Sequence, residues 1–337
     1  MKLFAYINNR LHSIQELLNI VTKRNNRIFN SLKPFLKKGW YINAPTCDYI
    51  YRIGSHKHFD KVTFTNLSSK KTNATRKLLL KLLIYSNKRE GNFGGTEIII
   101  SSSNTEYKVF NEREKKLLTY FIIPQKMRLI IKNKNYFSSF FNVPRTIFID
   151  KTRQIIEEEY IEHQDIDNSK ALNSILWQYV EFFRNVTCSK VVNNSLDFHS
   201  FSNRFGNSKL YSAISEYPLV VTHGDLWSSN VIYDGDKYYI TDFERVGTRF
   251  FLFDFFCFIC NEYIIKGDDS LIYSYFNGTF DTQLSEILKL VWKNQLNENR
   301  EALFIAFWIS MRNERWGDND AIDAKIEHVI RKYVLRF

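Results

Sequence analysis

The sequence predicts an α+β protein in two parts, a strand-rich part followed by a mainly helical part. Short apolar runs bounded by turn-forming residues characterise the chain from Gly91 to Ile161. Beyond Asp165, apolar residues instead recur at helical spacing in four long segments. With 337 residues, the chain is also long enough for two lobes with separate cores.

Charge sets the first 90 residues apart from the rest of the chain. The whole chain has a formal net charge of +11. Residues 1–90 hold 18 lysines and arginines against 4 acidic residues, a net charge of +14, whereas the remainder holds 29 basic and 32 acidic residues, a net charge of −3. This asymmetry favours an anionic partner such as a membrane surface, a phosphorylated glycan or nucleic acid. The alternative, that scattered lysines only keep this surface soluble, stays open.

Residues 1–90 form a basic N-terminal region of mixed pattern. Apolar residues recur at helical spacing from Leu11 to about Thr22 and from Thr75 to Tyr85. Between these two predicted helices, the segments CDYIYRIG and KVTFTN are typical of short strands. We leave open whether this region is part of the first lobe.

Residues 91–157 form the strand-rich lobe. The segments GGTEIIIS and TEYKVF predict a hairpin that turns around Ser102 to Asn104, and NEREKKLLTYF predicts a helix directly after it. A second strand pair, RTIFID and RQIIEEEYI, turns around Asp150 to Thr152 and leads into an extended connection near Glu157 to Ile161.

Residues 158–337 form the helical lobe, in which one polar stretch interrupts the helices. The predicted helices are Lys170–Arg184, Gln283–Gln295, Arg300–Asn313 and Ala321–Leu335. The interrupting stretch, HGDLWSSNVIYDGDKYYITDFE, predicts a tight hairpin, because Asp234 and Gly235 supply turn chemistry between two apolar runs. The two ends of a hairpin meet, so Asn230 and Asp242 are expected to lie close together.

The side chains at the ends of this hairpin predict phosphoryl transfer. An amide and a carboxylate supply the hard oxygen ligands that Mg²⁺ prefers, with phosphate oxygens and water completing its coordination. Asp225 precedes Asn230 by five residues in the same loop, where a carboxylate can orient a hydroxyl and accept its proton. The order H-x-D-L-x-x-x-N followed by D-F is that of the kinase signature set.

Three segments carry a family resemblance: THGDLWSSNVI, YYITDFERVG and RFFLFDFF. They resemble the kinase-like phosphotransferases of small molecules, the aminoglycoside phosphotransferase and choline/ethanolamine kinase group. The resemblance covers about Tyr217 to Tyr263 and is faint over Gly91 to Ile161. It implies a bilobal protein kinase-like fold that uses ATP and Mg²⁺, with a strand-rich N-terminal lobe and a mainly helical C-terminal lobe that holds the catalytic loop and the acceptor site.

The resemblance also implies roles for individual residues. Asp225 corresponds to the catalytic base and Asn230 and Asp242 to the magnesium ligands. His223 corresponds to the residue that braces the catalytic loop, and Asp254 to a later aspartate that is buried to hold that loop. A carboxylate among phenylalanines needs hydrogen-bonding partners, which agrees with this role.

On the nucleotide side, Lys108 in the segment YKVF resembles the strand lysine that contacts nucleotide phosphates. Glu114 in the predicted helix is its candidate ion-pair partner, with Glu112 as the competitor. The extended connection resembles the link whose backbone binds adenine; its candidate residues are Glu158, Tyr160 and Ile161.

Two departures from protein kinases favour a small-molecule acceptor. Trp227 stands two positions after the base, where a protein kinase carries a lysine, and Glu244 replaces the glycine of the Asp-Phe-Gly motif. Candidate acceptors are a sugar of a surface glycan and an amino alcohol; nucleic acid is not expected as a partner. No signal sequence or membrane span is evident, which predicts a cytoplasmic protein with peripheral membrane contact as a further option. The rival interpretation is a non-catalytic kinase-like scaffold that binds an anionic partner through residues 1–90.

Overall fold

The chain separates into two compact units in a computed structural model that describes residues 20–43, 49–53, 84–101, 105–186, 217–292, 296–313 and 320–335. The first unit is Met1–Leu129 with Pro144–Ile161, and the second is Ile130–Val143 with Glu162–Phe337. The first is rich in strands and the second in helices. The α+β class predicted from the sequence is therefore confirmed.

The strand-rich unit is built on one antiparallel sheet of eight described strands. Their order in the sheet is β3-β1-β2-β4-β5-β6-β8-β7. The strands are β1 Gly39–Asn43, β2 Tyr49–Arg52, β3 Ile84–Asn87, β4 Glu97–Ile100, β5 Glu106–Asn111, β6 Lys116–Phe121, β7 Thr146–Asp150 and β8 Ile155–Glu159. The strands predicted around YIYR, EIII and EYKVF, and the β7–β8 pair, are thereby confirmed, whereas KVTFTN lies outside the described residues.

One face of this sheet packs against helical residues 20–32, here called α1. Apolar side chains of α1 recur at Val21, Ile28, Phe29 and Leu32, so a single stripe of the helix is buried. Strand residues alternate between faces, which places Tyr107 and Val109 against α1. Lys108, between them, lies on the opposite face, across from Ile99 on β4 and Thr119 on β6.

The helix predicted over NEREKKLLTYF is wrong. Asn111 ends β5, a short turn follows, and Lys116–Phe121 forms strand β6 between β5 and β8. The side-chain oxygen of Asn111 accepts the Glu114 backbone N–H at 3.1 Å, and Lys115 has a positive φ of 51°, so the chain reverses here. Charged residues at helical spacing predicted a helix, but pairing of β6 with two neighbouring strands overrides that local preference.

The helical unit contains seven further α-helices in its described residues. They are α2 Pro124–Phe137, which begins in the first unit, α3 Asn168–Asn185, α4 Phe253–Asn261, α5 Ser270–Phe276, α6 Asp281–Val291, α7 Leu296–Asn313 and α8 Asp320–Val329. The four helices predicted from periodicity correspond to α3, α6, α7 and α8. Their bounds shift by a few residues because capping is decided locally: Asp167, for example, accepts the Ser169 and Lys170 backbone N–H groups at the start of α3.

The core of the helical unit is rich in aromatic side chains, and α4 runs through it. All nine residues of α4 are buried, including the thiols of Cys257 and Cys260, so this pair belongs to the core. Among the helices in the described part of the chain, none combines the length and apolar character needed to cross a membrane.

Candidate active site

The predicted hairpin is present and gathers the motif residues at one end. Strands β9 Val231–Tyr233 and β10 Tyr238–Ile240 pair antiparallel, with Val231 opposite Ile240. One step further, the Thr241 backbone N–H donates to the Asn230 carbonyl oxygen at 2.9 Å. Asn230 and Asp242 therefore lie at the open end of the hairpin, opposite its turn at Asp234 and Gly235.

The backbone at Asp242 is held in a rarely used conformation. Its φ of 66° and ψ of 69° lie in the left-handed region, which side chains other than glycine seldom occupy. The next residue is fixed from α2, because the buried Asn133 side chain donates to the Phe243 carbonyl oxygen at 2.9 Å. The exposed Asp242 carboxylate is thus presented on a fixed backbone.

Asn230 and Asp242 fit a magnesium ion that also binds phosphate. The Asn230 side-chain N–H₂ donates to the Asp225 carbonyl oxygen at 2.7 Å, which directs the role of ligand to its other atom, the amide oxygen. Within the part of the chain that the structure describes, no three His, Cys, Asp or Glu side chains form a metal-binding group. Two protein oxygens are few for a calcium cage but usual for Mg²⁺, which keeps water and substrate phosphates as its other ligands.

The carboxyl group of Asp225 is half-buried beside this pair. Burial raises its pKa from the ordinary value of 3.8, the Arg245 guanidinium opposes that change, and the negative charge of Asp242 adds to it. The like charge of Asp242 thus disfavours ionisation of Asp225. A raised pKa makes Asp225 a better proton acceptor than an exposed aspartate.

His223 joins the loop to the far strand of the hairpin. The imidazole is fully buried and lies against the rings of Phe137 and Phe243. Its Nε2 lies 2.9 Å from the Thr241 carbonyl oxygen, which can only accept, so Nε2 carries the proton and Nδ1 faces the Asp225 backbone N–H at 3.4 Å. One ring thus contacts the backbone of Asp225 and that of Thr241, the residue before Asp242.

Asp254 lies beneath the loop in the first turn of α4, and its side chain is almost completely buried. One carboxylate oxygen accepts the Gly224 backbone N–H at 2.7 Å, and the other accepts the His223 backbone N–H at 2.6 Å. The Tyr179 hydroxyl of α3 donates to that second oxygen. Three donors therefore compensate for burying the charge and tie the loop to two helices.

Gly224 is required by the space around the loop. Its φ is +80°, and a Cβ placed there would lie 2.3 Å from the Arg245 carbonyl oxygen and 2.4 Å from a guanidinium nitrogen of Arg249. The loop is therefore closely packed against the segment that follows Asp242.

The nucleotide-side ion pair expected from the sequence is absent from the described residues. Glu114 lies in the β5–β6 turn rather than on a helix, and its carboxylate is 3.1 Å from the ammonium of Lys116. Within the described residues, Lys108 forms no ion pair with Glu114 or Glu112. The prediction of a Lys108–Glu114 pair is wrong because it depended on the helix that β6 replaces.

A different ion pair links a strand of this unit to a helix. Glu106 on β5 and Lys126 on α2 bring their charged atoms within 3.3 Å, with side chains 11% and 10% exposed. The Lys126 ammonium also donates to the Thr105 hydroxyl at 2.9 Å. Sequence analysis missed this pair because α2 was not predicted, although Pro124 at its start is a helix-initiation signal.

The predicted adenine link lies where the chain passes from one unit to the next, after Ile161. Glu158 is on β8, paired with Leu117 and Thr146, and is half-buried. The Tyr160 backbone N–H donates to the Lys115 carbonyl oxygen at 2.8 Å, and its ring meets Phe110 edge-on. Ile161 begins an extended stretch without regular structure. The Tyr160 backbone N–H is thus engaged within the protein.

A family model matches the part of the chain that contains the loop and the hairpin. Residues 207–287 match the family model described as Phosphotransferase enzyme family. This segment holds all the residues assigned to the catalytic loop and the magnesium site, and the predicted resemblance is confirmed over it. No curated protein matches the chain.

Several solved structures are similar at low identity. A choline kinase, LicA, from Streptococcus pneumoniae is 12% identical; the match covers 68% of this chain and 90% of LicA, with a TM-score of 0.36. A choline/ethanolamine kinase family protein from Mesorhizobium loti is 12% identical; the match covers 69% of this chain and 86% of that protein, with a TM-score of 0.34. The protein in the streptomycin–ATP–APH(2")-IIa ternary complex is 12% identical; the match covers 70% of this chain and 92% of that protein, with a TM-score of 0.41.

Proposed function

We propose that this chain is a small-molecule kinase that transfers the γ-phosphoryl group of ATP to a hydroxyl group. The observation that carries the proposal is the hydrogen-bonded loop and hairpin that bring Asp225, Asn230 and Asp242 together. The match of residues 207–287 to phosphotransferase enzymes supports it independently.

Each of the three residues has a distinct part in the proposed reaction. Asp225 orients the acceptor hydroxyl and takes its proton as the oxygen attacks phosphorus. Asn230 and Asp242 would hold Mg²⁺, which when bound neutralises charge on the transferred phosphoryl group. Asp225 is held at one place by the bond from Asn230 to its own carbonyl, so base and ligands keep a fixed separation.

His223 and Asp254 are proposed to position the loop rather than to touch the substrate. Asp254 accepts the two successive backbone N–H groups directly before Asp225. These bonds fix the backbone from which the Asp225 side chain extends. His223 contacts the backbone on both sides of the site, at Asp225 and at Thr241. Loss of either residue is expected to lower kcat more than substrate binding.

On the nucleotide side, we propose that Lys126 takes the role that the sequence assigned to Lys108. Lys126 is an ordered cation, because Glu106 and Thr105 both contact its ammonium. Backbone groups around Glu158, Tyr160 and Ile161 remain the proposed adenine contacts.

The acceptor is proposed to be a small molecule with a free hydroxyl, either a sugar of a surface glycan or an amino alcohol. A quaternary ammonium acceptor would need exposed aromatic rings around it, and Trp308, 1% exposed in the core, does not provide one. We propose a cytoplasmic location, with the basic first 90 residues as a contact to anionic membrane or glycan.

The test is ATP turnover with a panel of sugars, amino alcohols and aminoglycosides. Asp225→Asn should lower turnover by about 10²–10⁴-fold and leave Mg·ATP binding intact. Asp236→Asn is the matched control, because Asp236 is an exposed aspartate at the opposite end of the same hairpin. Full activity of Asp225→Asn would remove the assigned base. No turnover by the unmodified chain, together with salt-sensitive polyanion binding, would favour the scaffold instead.

A further inference from the structure

A lysine from outside the motif reaches into the catalytic loop. Lys266 closes a π-helical turn, Glu262–Lys266, that follows α4. Its ammonium donates to the Ser228 hydroxyl at 2.9 Å, and Ser228 lies between Asp225 and Asn230. A residue 38 positions away in sequence thus contributes a positive charge to the loop.

A buried glutamate fixes the position of the Lys266 ammonium. Glu262 is 1% exposed, and its carboxylate lies 2.6 Å from the Lys266 ammonium. The same carboxylate oxygen accepts the Asn168 side-chain N–H₂ at 2.8 Å. The Lys266 side chain itself is 48% exposed, so the acid is covered while the cation faces solvent. This arrangement pre-organises a positive charge at low entropic cost.

The two polar groups have hydrogen-bonding capacity to spare. An ammonium has three donors, and among the described residues Glu262 and Ser228 account for two. The Ser228 hydroxyl accepts from Lys266 and retains its own O–H as a donor. Two adjacent donors beside a positive charge are suited to phosphate oxygens. The loop itself offers no cation at position 227, where this chain has Trp227.

We infer that Lys266 and Ser228 form an anion-binding pair that holds a phosphate group beside the catalytic loop. The inference rests on the proposed function for its place in a reaction, and it adds a cation to the one base and two metal ligands already assigned. The phosphate belongs either to the nucleotide, as its γ-phosphoryl group, or to an acceptor that already carries a phosphate.

The test measures the acetylation rate of Lys266 by mass spectrometry with an amine-acetylating reagent. Lys332 is the internal control, because its ammonium is ion-paired with Asp269 at 2.7 Å and its side chain is 49% exposed, almost the same as for Lys266. Inorganic phosphate at ~10 times its dissociation constant should slow acetylation of Lys266 by about tenfold and leave Lys332 unchanged.

Further ligands identify the source of the phosphate. Protection by Mg·ATP but not by Mg·ADP assigns the pair to the γ-phosphoryl group. Protection by glycerol 3-phosphate but not by glycerol assigns it to the acceptor. If neither inorganic phosphate nor any of these ligands slows Lys266 more than Lys332, the inference is overturned.

Variants separate binding from a purely structural role. Lys266→Met and Lys332→Met each remove one ion-paired lysine, but only Lys266→Met should lose the rise in melting temperature that inorganic phosphate causes, and Lys266→Arg should keep it. An unchanged phosphate response in Lys266→Met contradicts the inference. These measurements need no turnover, so phosphate protection in a chain that never consumes ATP would disprove the proposed kinase activity while leaving the anion site in place.

Discussion

Replacing Tyr179 by phenylalanine tests how the catalytic loop is held. The Tyr179 hydroxyl is one of three donors to the buried Asp254 carboxylate; the other two are the backbone N–H groups of His223 and Gly224. Tyr179→Phe removes one donor from a buried charge and leaves the ring packing unchanged. Burial raises the pKa of Tyr179 well above its ordinary value, with the Asp254 charge adding to the effect, so the hydroxyl keeps its proton at working pH.

The size of the effect follows from the charge of the acceptor. A hydrogen bond to a charged group contributes about 1.5–3 kcal/mol, whereas one between neutral groups contributes about 0.5–1.5 kcal/mol. Tyr275→Phe is the matched control, because the equally buried Tyr275 hydroxyl donates to a neutral acceptor, the Arg300 carbonyl oxygen, at 2.7 Å. We expect Tyr179→Phe to cost about 1–2 kcal/mol more than Tyr275→Phe.

Urea-induced unfolding, followed by fluorescence, measures the loss of stability in each tyrosine variant. Kinase assays measure whether the loop still positions Asp225. Tyr179→Phe should also lower kcat, because the loop before Asp225 loses part of its anchor, whereas Tyr275→Phe should not. In an Asp254→Asn background, the cost of Tyr179→Phe should fall to the level of a neutral pair. Equal costs for the two tyrosine variants, or an unchanged cost in that background, would refute the assignment of Asp254 as a charged anchor.

Three further predictions concern the loop and its ligands. Because burial raises the pKa of Asp225, its ionisation opposes folding as pH rises above 3.8; Asp225→Asn should therefore be more stable than the unmodified chain at neutral pH, with the difference disappearing in urea titrations near or below pH 3.8. Gly224→Ala should lower both stability and activity severely in thermal melts and kinase assays, whereas Gly267→Ala, with φ +76° and no atom within 4 Å of the new Cβ, should cost only about 1 kcal/mol of strain. Asn230→Ala and Asp242→Ala should each raise the Mg²⁺ concentration that half-saturates turnover by about tenfold or more; an unchanged Mg²⁺ dependence would exclude them as ligands.

The sequence was most informative where chemistry and local geometry coincide. Asp234 and Gly235 require a turn, so the distance between Asn230 and Asp242 could be inferred without knowing anything else about the fold. The buried state of Asp254 was likewise predictable from its phenylalanine neighbours, but its partner Tyr179 was not, because the two residues are 75 positions apart.

The nucleotide side shows why local pattern fails. The segment after Asn111 has the charge spacing of a helix, yet it becomes a turn and strand β6 through pairing with β5 and β8. Once that helix is lost, Glu114 has no reason to face Lys108, and a different pair, Glu106 with Lys126, forms between β5 and α2. Periodicity reflects the conformational preference of one segment alone. It does not show which neighbouring strands will satisfy the backbone hydrogen bonds of that segment.

By itself, the sequence determined the α+β class, through its apolar patterns, and the hairpin that brings Asn230 and Asp242 close together, because a tight turn depends only on neighbouring residues. It also predicted Asp225, in the loop before this hairpin, as the base. Only the tertiary structure decided which side chains hold that loop and which cations approach it. Tyr179, Asn133 and Lys266 reach the site from separate helical segments, and contacts between distant segments form only where packing of the whole unit brings them together.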